Sequence, residues 1–343
     1  MNERTALPAY RFPTTVLFVD DDTNFLANFS LELDERIAFR FFDAPGPALR
    51  HIEETMSHVA AHRQWLHSQR EAIGWPLRNH CLRLDLAAIE EVATNPDRFK
   101  EIPVVVVDYA MPEMDGLTFC RRIGNPNLKK ILITGVGDER LAVAAFNEGL
   151  IDRFILKGDR DAAAQVNTAV TELQQQYFRD ASQLVHRSLE GEGVHFLRDP
   201  VFVEHFHRLN ADYDVVEYYF VAEPDGFLLV TAPGATYRLI VLDDEQMDAH
   251  WEIACDQEAP RRLLDALKAR AKVPYFWRSG GYYRAAEADW EQHLYPATRL
   301  NGVRTYYLAL IENPPAYSQM DWHIRSYNNF LEGFDAETCL PFG

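Results

Sequence analysis

The sequence is short of positive charge, of cysteine and of long apolar runs. Its 34 lysines and arginines face 52 aspartates and glutamates, a formal net charge of −18 over 343 residues. Nonspecific adhesion to nucleic acid or anionic lipid draws on clustered Lys and Arg, so this balance speaks against both. Only four cysteines occur, Cys81, Cys120, Cys255 and Cys339, far apart and with no CxxC pair. They read as reduced thiols of a cytosolic protein rather than disulfides or metal ligands. No stretch approaches the roughly 18 consecutive apolar residues of a membrane span. The start, MNERTALPAYRFPTT, lacks the charged end and apolar core of a signal peptide. Core material is ample: 47% of residues are hydrophobic and 12% aromatic, over a length that suggests two domains.

TVLFVDDD (15–22) is apolar and β-branched, then abruptly acidic, which predicts a short buried strand with an acid tip. TNFLANFSLELDER follows as an amphipathic helix, with Asp22 or Thr23 as its N-cap. Four more strands are expected at IAFRFFDA (37–44), the valine run of VVVVDYAMPEMDG (104–116), KKILITG (129–135) and DRFILKG (152–158). Helical stretches such as LTFCRRIG and DERLAVAAFNEGL separate them. Continuous apolar strands alternating with helices predict a five-stranded parallel sheet covered on both faces. In such folds ligands bind beyond the carboxyl ends of the strands, at a topological switch point.

Polar groups stand at those ends: Asp20, Asp21 and Asp22 after the first strand, Asp108 after the third, Thr134 after the fourth and Lys157 after the fifth. Carboxylates gathered in one cleft repel one another. A hard divalent cation such as Mg²⁺ relieves the repulsion and accepts one further anionic oxygen, for example from a phosphoryl group. Lys157 adds a point charge and Thr134 a hydroxyl. With its charge shielded, one carboxylate can act as a nucleophile and form an aspartyl phosphate. Taken singly, each acid reads equally well as a helix cap. Their joint occurrence at matching strand ends is what points to chemistry.

VLFVDDD, VVVVDYAMPEMDG, ILITG and FILKGD together resemble the four signatures of the receiver domain of two-component response regulators, the CheY-like family. The resemblance covers residues 14–158 and implies the family's flavodoxin-like, doubly wound fold for a receiver domain over 1–158. It further implies that Asp108 accepts phosphate from a histidine kinase, a phosphotransfer protein or a small phosphodonor. Asp20, Asp21, Asp108 and the backbone carbonyl of Ala110 would hold Mg²⁺. Thr134 would bond the phosphoryl oxygen, Lys157 would pair with it, and Phe154 occupies the switch-aromatic position. Asp22 falls outside the ligand set and reads as a cap. The chain departs from the family pattern at three places. Gly158 follows Lys157 where a proline is usual. Ala110 and Val136 stand where polar residues normally orient the hydrolytic water, so a long-lived phosphoryl group is expected. About 40 extra residues, 56–100, read as a helical insertion in which His58, His62 and His67 form a solvated or partner-facing row.

Residues 159–190 read as one long linker helix. Its stripe of Val166, Val170, Leu173, Tyr177, Ala181 and Leu184 either docks on its own domain or pairs two copies in a coiled coil. A homodimer through this helix or through the receiver face is expected. From 195 to 343 the texture changes to antiparallel strands with turns at Asp225-Gly226 and Pro233-Gly234, flanked by helices: an α+β output or sensor domain. It resembles PAS or GAF modules in architecture alone, and the whole arrangement is similar to quorum-sensing regulators of the Lqs type. Only RRLLDALKARAK (261–272) is basic and helical, without a helix-turn-helix context, so DNA binding is the weaker reading. Asp243 and Asp244 end a strand and are candidates for an enzyme output as well as for simple capping. The resulting expectation is a cytoplasmic phosphorylation switch whose second domain binds a ligand or a protein. A phosphorylation-controlled nucleotide-signalling enzyme and a transcription factor are the alternatives.

Overall fold

The computed structural model describes residues 6–62, 66–71, 79–135, 139–190, 193–285, 287–319 and 323–338. It divides into two compact units whose segments alternate along the chain. An α/β unit is built from Pro13–Arg63, Asp97–Ala181 and Asn329–Gly343. An antiparallel unit is built from Met1–Phe12, Gln64–Pro96 and Ser182–Asn328.

The chain opens with β1 (Tyr10–Arg11), an edge strand of the antiparallel unit, and then begins the α/β unit with β2 (Thr15–Val19), α1 (Thr23–Ser30), β3 (Ala38–Phe42) and α2 (Pro45–His62). It returns to the antiparallel unit for β4 (Leu66–Glu71), β5 (Asn79–Leu84) and α3 (Ala87–Glu91). The α/β unit resumes with β6 (Val104–Asp108), α4 (Gly116–Arg122), β7 (Lys129–Thr134), α5 (Glu139–Asn147), β8 (Arg153–Leu156) and α6 (Ala162–Ala181).

The five strands pair in parallel in the order β3-β2-β6-β7-β8. Their side chains alternate between two cores, as the period of two in a strand requires. Val105, Val107 and Leu132 join Ile52, Phe119 and Ala142 on one face. Val104, Val106 and Ile131 join Leu26, Phe29, Val166 and Val170 on the other. A valine taken fully out of water in this way contributes about 1.5–3 kcal/mol, which is why the strand tips are held rigidly. The expected doubly wound receiver-type sheet is observed.

The rest of the antiparallel unit runs α7 (Gln183–Glu190), α8 (Pro200–Asp212), β9 (Val215–Val221), β10 (Gly226–Thr231), β11 (Thr236–Asp243), α9 (Asp244–Asp256), α10 (Arg261–Lys268), β12 (Lys272–Pro274), β13 (Leu294–Pro296), β14 (Thr298–Asn301), β15 (Thr305–Glu312) and α11 (Pro315–Gln319). A last helix, α12 (Tyr327–Thr338), closes the chain, and its Phe330 packs on Phe99 of the α/β unit. The main antiparallel sheet has the order β1-β9-β10-β11-β15-β14, with both turns of the β9-β10-β11 meander where the sequence places them.

Three expectations need correction. The insertion is not helical throughout: β4 and β5 form an antiparallel pair, Leu66 opposite Leu84, and α3 is a single short helix. The contiguous blocks 1–158, 159–190 and 195–343 also differ from the compact units. Residues before Pro13 and from Gln64 to Pro96 belong with the antiparallel unit. The linker is two helices broken at Ser182, whose side-chain oxygen accepts a hydrogen bond from Ala9 N at 3.0 Å. The α6 stripe of Ala162, Val166, Val170 and Leu173 is buried in the α/β core, so no coiled-coil seam remains there. Of the three histidines, His58 is exposed on α2, His62 ends that helix, and His67 lies on a strand.

A buried polar cluster ties the insertion to the antiparallel sheet. Arg238 on β11 is fully buried and donates to the carbonyls of Leu239 (2.6 Å) and Pro224. Glu90 on α3 accepts from the Tyr317 hydroxyl. Burial raises the Glu90 pKa; the Tyr317 hydrogen bond and the positive charge of Arg238 oppose the rise.

His250 on α9 is buried and stacked on Tyr282, ring centroids 4.6 Å apart. Burial pushes its pKa down to about 4. The unfolded chain therefore takes up this proton first, and stability falls as pH drops from the ordinary histidine value of 6.5 toward 4, by about 3 kcal/mol at most. Urea midpoints measured across that window should decline more gently in His250→Phe than in the wild type; parallel curves would contradict this assignment.

Candidate functional site

Asp20 follows β2 and Asp108 ends β6, two neighbouring strands of the parallel sheet. Both side chains are buried, at 3% and 4% exposure, whereas Asp21 is exposed. One carboxylate oxygen from each of Asp20, Asp21 and Asp108 lies within 4.8 Å of the others. Lys157, just past β8, bridges the two buried acids, its Nζ 2.6 Å from Asp20 Oδ2 and 2.8 Å from Asp108 Oδ1. The backbone fixes these positions. Lys157 N–H donates to the Thr134 carbonyl at 2.9 Å, and Tyr109 N–H to that of Ile133 at 2.9 Å.

Burial raises the pKa of Asp20, against the pull of Lys157. Burial alone would lower the pKa of Lys157, but the carboxylates of Asp108 and Asp20 outweigh it and raise it. Asp20 Oδ2 is shielded from solvent and pairs with Lys157. Three carboxylates converging on one ammonium form an all-oxygen donor set with negative charge to spare, which fits a hard cation such as Mg²⁺. Asp20, Asp21 and Asp108 would hold it.

Asp22 caps α1, accepting from Asn24 N and Phe25 N at 3.0 Å each, and so serves as the expected cap. Ala110 is exposed, and its N–H donates to Asp108 Oδ2 at 3.0 Å. Thr134 is buried at the end of β7, and its hydroxyl donates to the Gly135 carbonyl at 3.3 Å. Phe154 is half-buried against the α2, α4 and α5 side of the core. Val136 lies outside the described residues.

Two contributors were not apparent in the sequence. Phe25 places its ring centroid 4.6 Å from Lys157 Nζ. Gly116, which closes VVVVDYAMPEMDG, approaches the backbone of Asp108 so closely that a Cβ would sit 2.3 Å from the Asp108 carbonyl oxygen. No side chain fits without moving backbone. Gly116→Ala is expected to cost roughly 2–4 kcal/mol and to displace Asp108. Chemical denaturation would check the loss, and an unchanged midpoint would refute it.

Asp243 and Asp244 are not drawn into a catalytic cluster. Asp243 is the N-cap of α9 in a reciprocal capping box with Gln246, and pairs with Arg304 at 3.0 Å. Asp244 pairs with Arg270 at 2.5 Å and accepts from the Tyr307 hydroxyl at 3.0 Å.

Comparison with known proteins agrees with this geometry. Residues 67–165 match the response regulator receiver domain family. The solved structure of the response regulator LqsR of Legionella pneumophila is 38% identical, covers 98% of both chains and superposes with a TM-score of 0.79. The chain belongs to the two-component response regulators. This regulator also shares 43% identity over 60 residues with the cyclic di-GMP phosphodiesterase response regulator RpfG of Xanthomonas campestris pv. campestris. That stretch is 16% of each chain. The family match leaves out β2 with Asp20 and Asp21; the structure brings them to Asp108 across the sheet. Among the described residues no helix is long and apolar enough to cross a membrane.

Proposed function

We propose that the chain is a phosphorylation switch in which Asp108 accepts a phosphoryl group from a histidine kinase or phosphotransfer protein. The observation that carries this reading is the convergence of Asp20, Asp21 and Asp108 within 4.8 Å beneath a bridging lysine. Magnesium, held by those three carboxylates and the carbonyl of Ala110, would supply charge neutralisation. Asp108 Oδ attacks the phosphorus, and the bond from phosphorus to the donor histidine's ring nitrogen breaks, so the imidazole leaves. Lys157 then pairs with the phosphoryl oxygens. Thr134 bonds one of them and Phe154 follows it inward, which shifts an equilibrium between two receiver conformations.

The second unit is read as a ligand- or protein-binding output. An enzyme output at Asp243 and Asp244 is disfavoured by their engagement in capping and ion pairs. DNA binding is disfavoured too. A helix, α9, neighbours the basic α10, but it exposes Asp244, Glu245, Asp248, Glu252 and Asp256, and phosphate would be repelled there.

Acetyl phosphate with Mg²⁺ should shift the protein on a phosphate-affinity gel, and chelation should prevent the shift. The Ala110 methyl group cannot orient a hydrolytic water, so the label should persist for minutes or longer after donor removal. Decay within seconds would contradict that assignment.

A further inference from the structure

We propose that Phe25 is a positioning residue for Lys157, holding the ammonium over the acid pair with the face of its ring. The proposal rests on the reading of Asp108 as phosphoacceptor. Lys157 Nζ has three neighbours of complementary charge: Asp20 Oδ2, Asp108 Oδ1 and the Phe25 ring, 4.6 Å to its centroid. An aromatic face attracts a cation through its quadrupole. The ring is itself fixed. Its backbone N–H donates to Asp22 at the start of α1, and it stacks on Phe29 with centroids 5.0 Å apart and planes at 26°. Phe29 is buried and packs on Phe18 of β2.

Such a hold matters because lysine is a point charge on a flexible four-carbon stem. The backbone hydrogen bond to Thr134 fixes where the stem begins, not where the ammonium ends. Gly158 follows, exposed, with open space where a Cβ would sit. Once Asp108 carries a phosphoryl group, the ammonium must leave Asp20 and stay with the new oxygens. A ring fixed to the core on α1 keeps it on that path. Asp22 thereby acts at one remove: it caps the helix that presents the ring.

The test uses the full chain carrying Phe25→Leu, Phe25→Tyr and Phe25→Trp. Leucine keeps an apolar side chain but loses the ring; tyrosine and tryptophan keep one. Phosphorylation by acetyl phosphate in Mg²⁺ should slow two- to fivefold in Phe25→Leu, the range set by a partly exposed cation–π contact. Tyr and Trp should restore it, while thermal midpoints stay together. A second readout needs neither metal nor phosphate. The ε-methylene protons of Lys157, assigned by their loss in Lys157→Met, should be ring-shifted upfield in wild type, Tyr and Trp, and not in Leu. A labelled wild type matched in rate and lysine shift by Phe25→Leu overturns the proposal. Equal slowing in all three variants with lowered midpoints also overturns it, since packing alone would then explain the effect. A wild type that takes no label at Asp108 sinks the phosphoacceptor reading instead, and does so whatever the lysine shift reports.

Discussion

Asp108→Asn is expected to abolish phosphorylation by acetyl phosphate, by about a thousandfold or more, while leaving the fold intact. The amide has the carboxylate's shape but no nucleophilic oxygen, so the covalent step has no attacking atom. The variant also removes one of two buried negative charges that share Lys157. The charge of Asp108 is one of the factors that raise the Asp20 pKa, so its loss relieves repulsion. In metal-free buffer the thermal midpoint should therefore hold or rise. The stabilisation that Mg²⁺ gives the wild type should shrink, because a cation stabilises only through its affinity for the folded site and a donor is gone. Gel-shift and thermal scans in EDTA and in Mg²⁺ check both halves. A variant that still takes label would place the phosphoacceptor elsewhere. One that unfolds would mean Asp108 is a structural acid.

The second large effect concerns the output half alone. Residues 195–343, the block read from sequence as a domain, should not fold cooperatively when expressed as a fragment. The fragment lacks β1, whose Tyr10 pairs with Tyr219 and covers the edge of the antiparallel sheet. It lacks α7 and, in α3, the carboxylate of Glu90 that sits in the cluster with Tyr317 and Arg238. The Tyr317 hydroxyl, which donates to Glu90, is left without this acceptor, and a buried donor left unpaired costs about 1–3 kcal/mol, in addition to the lost strand and helix packing. The fragment should show helical and strand signals in the far ultraviolet with weak near-ultraviolet dichroism and no sharp melting transition. Glu90→Gln in the full chain isolates the polar part and should lower the urea midpoint while preserving the fold. A fragment that melts cooperatively like the full chain would show that the alternating segments are dispensable.

The contrast between these two cases shows where sequence reading succeeds. The parallel strands were legible because burial on both faces leaves continuous apolar runs, and each run ends abruptly at the residue that carries chemistry. VLFVDDD and VVVVD announce both the strand and its tip. Asp22 was legible as a cap because an acid directly before an amphipathic helix has a local job. The segment 64–96 was not legible in the same way. LHSQRE and NHCLRL hold no strong period, and what makes them strands is their pairing with each other, Leu66 to Leu84 through Glu71 to Asn79. Tyr10 was hidden for the same reason, since its partner Tyr219 lies far along the chain. The linker misled because its spacing of three and four is that of any buried helix. Only the packing of Val166 and Val170 against Val104 and Ile131 distinguishes docking from a coiled coil. The ring contact of Phe25 and the close approach of Gly116 were not legible because they depend on distances to Lys157 and to Asp108 that no spacing encodes.

The most direct test treats the wild-type protein with acetyl phosphate and Mg²⁺, reduces the acyl phosphate with borohydride, and maps the modified peptide by mass spectrometry. The account predicts conversion at residue 108 alone, absent when Mg²⁺ is chelated. Conversion at another carboxylate, or at 108 regardless of Mg²⁺, would contradict it.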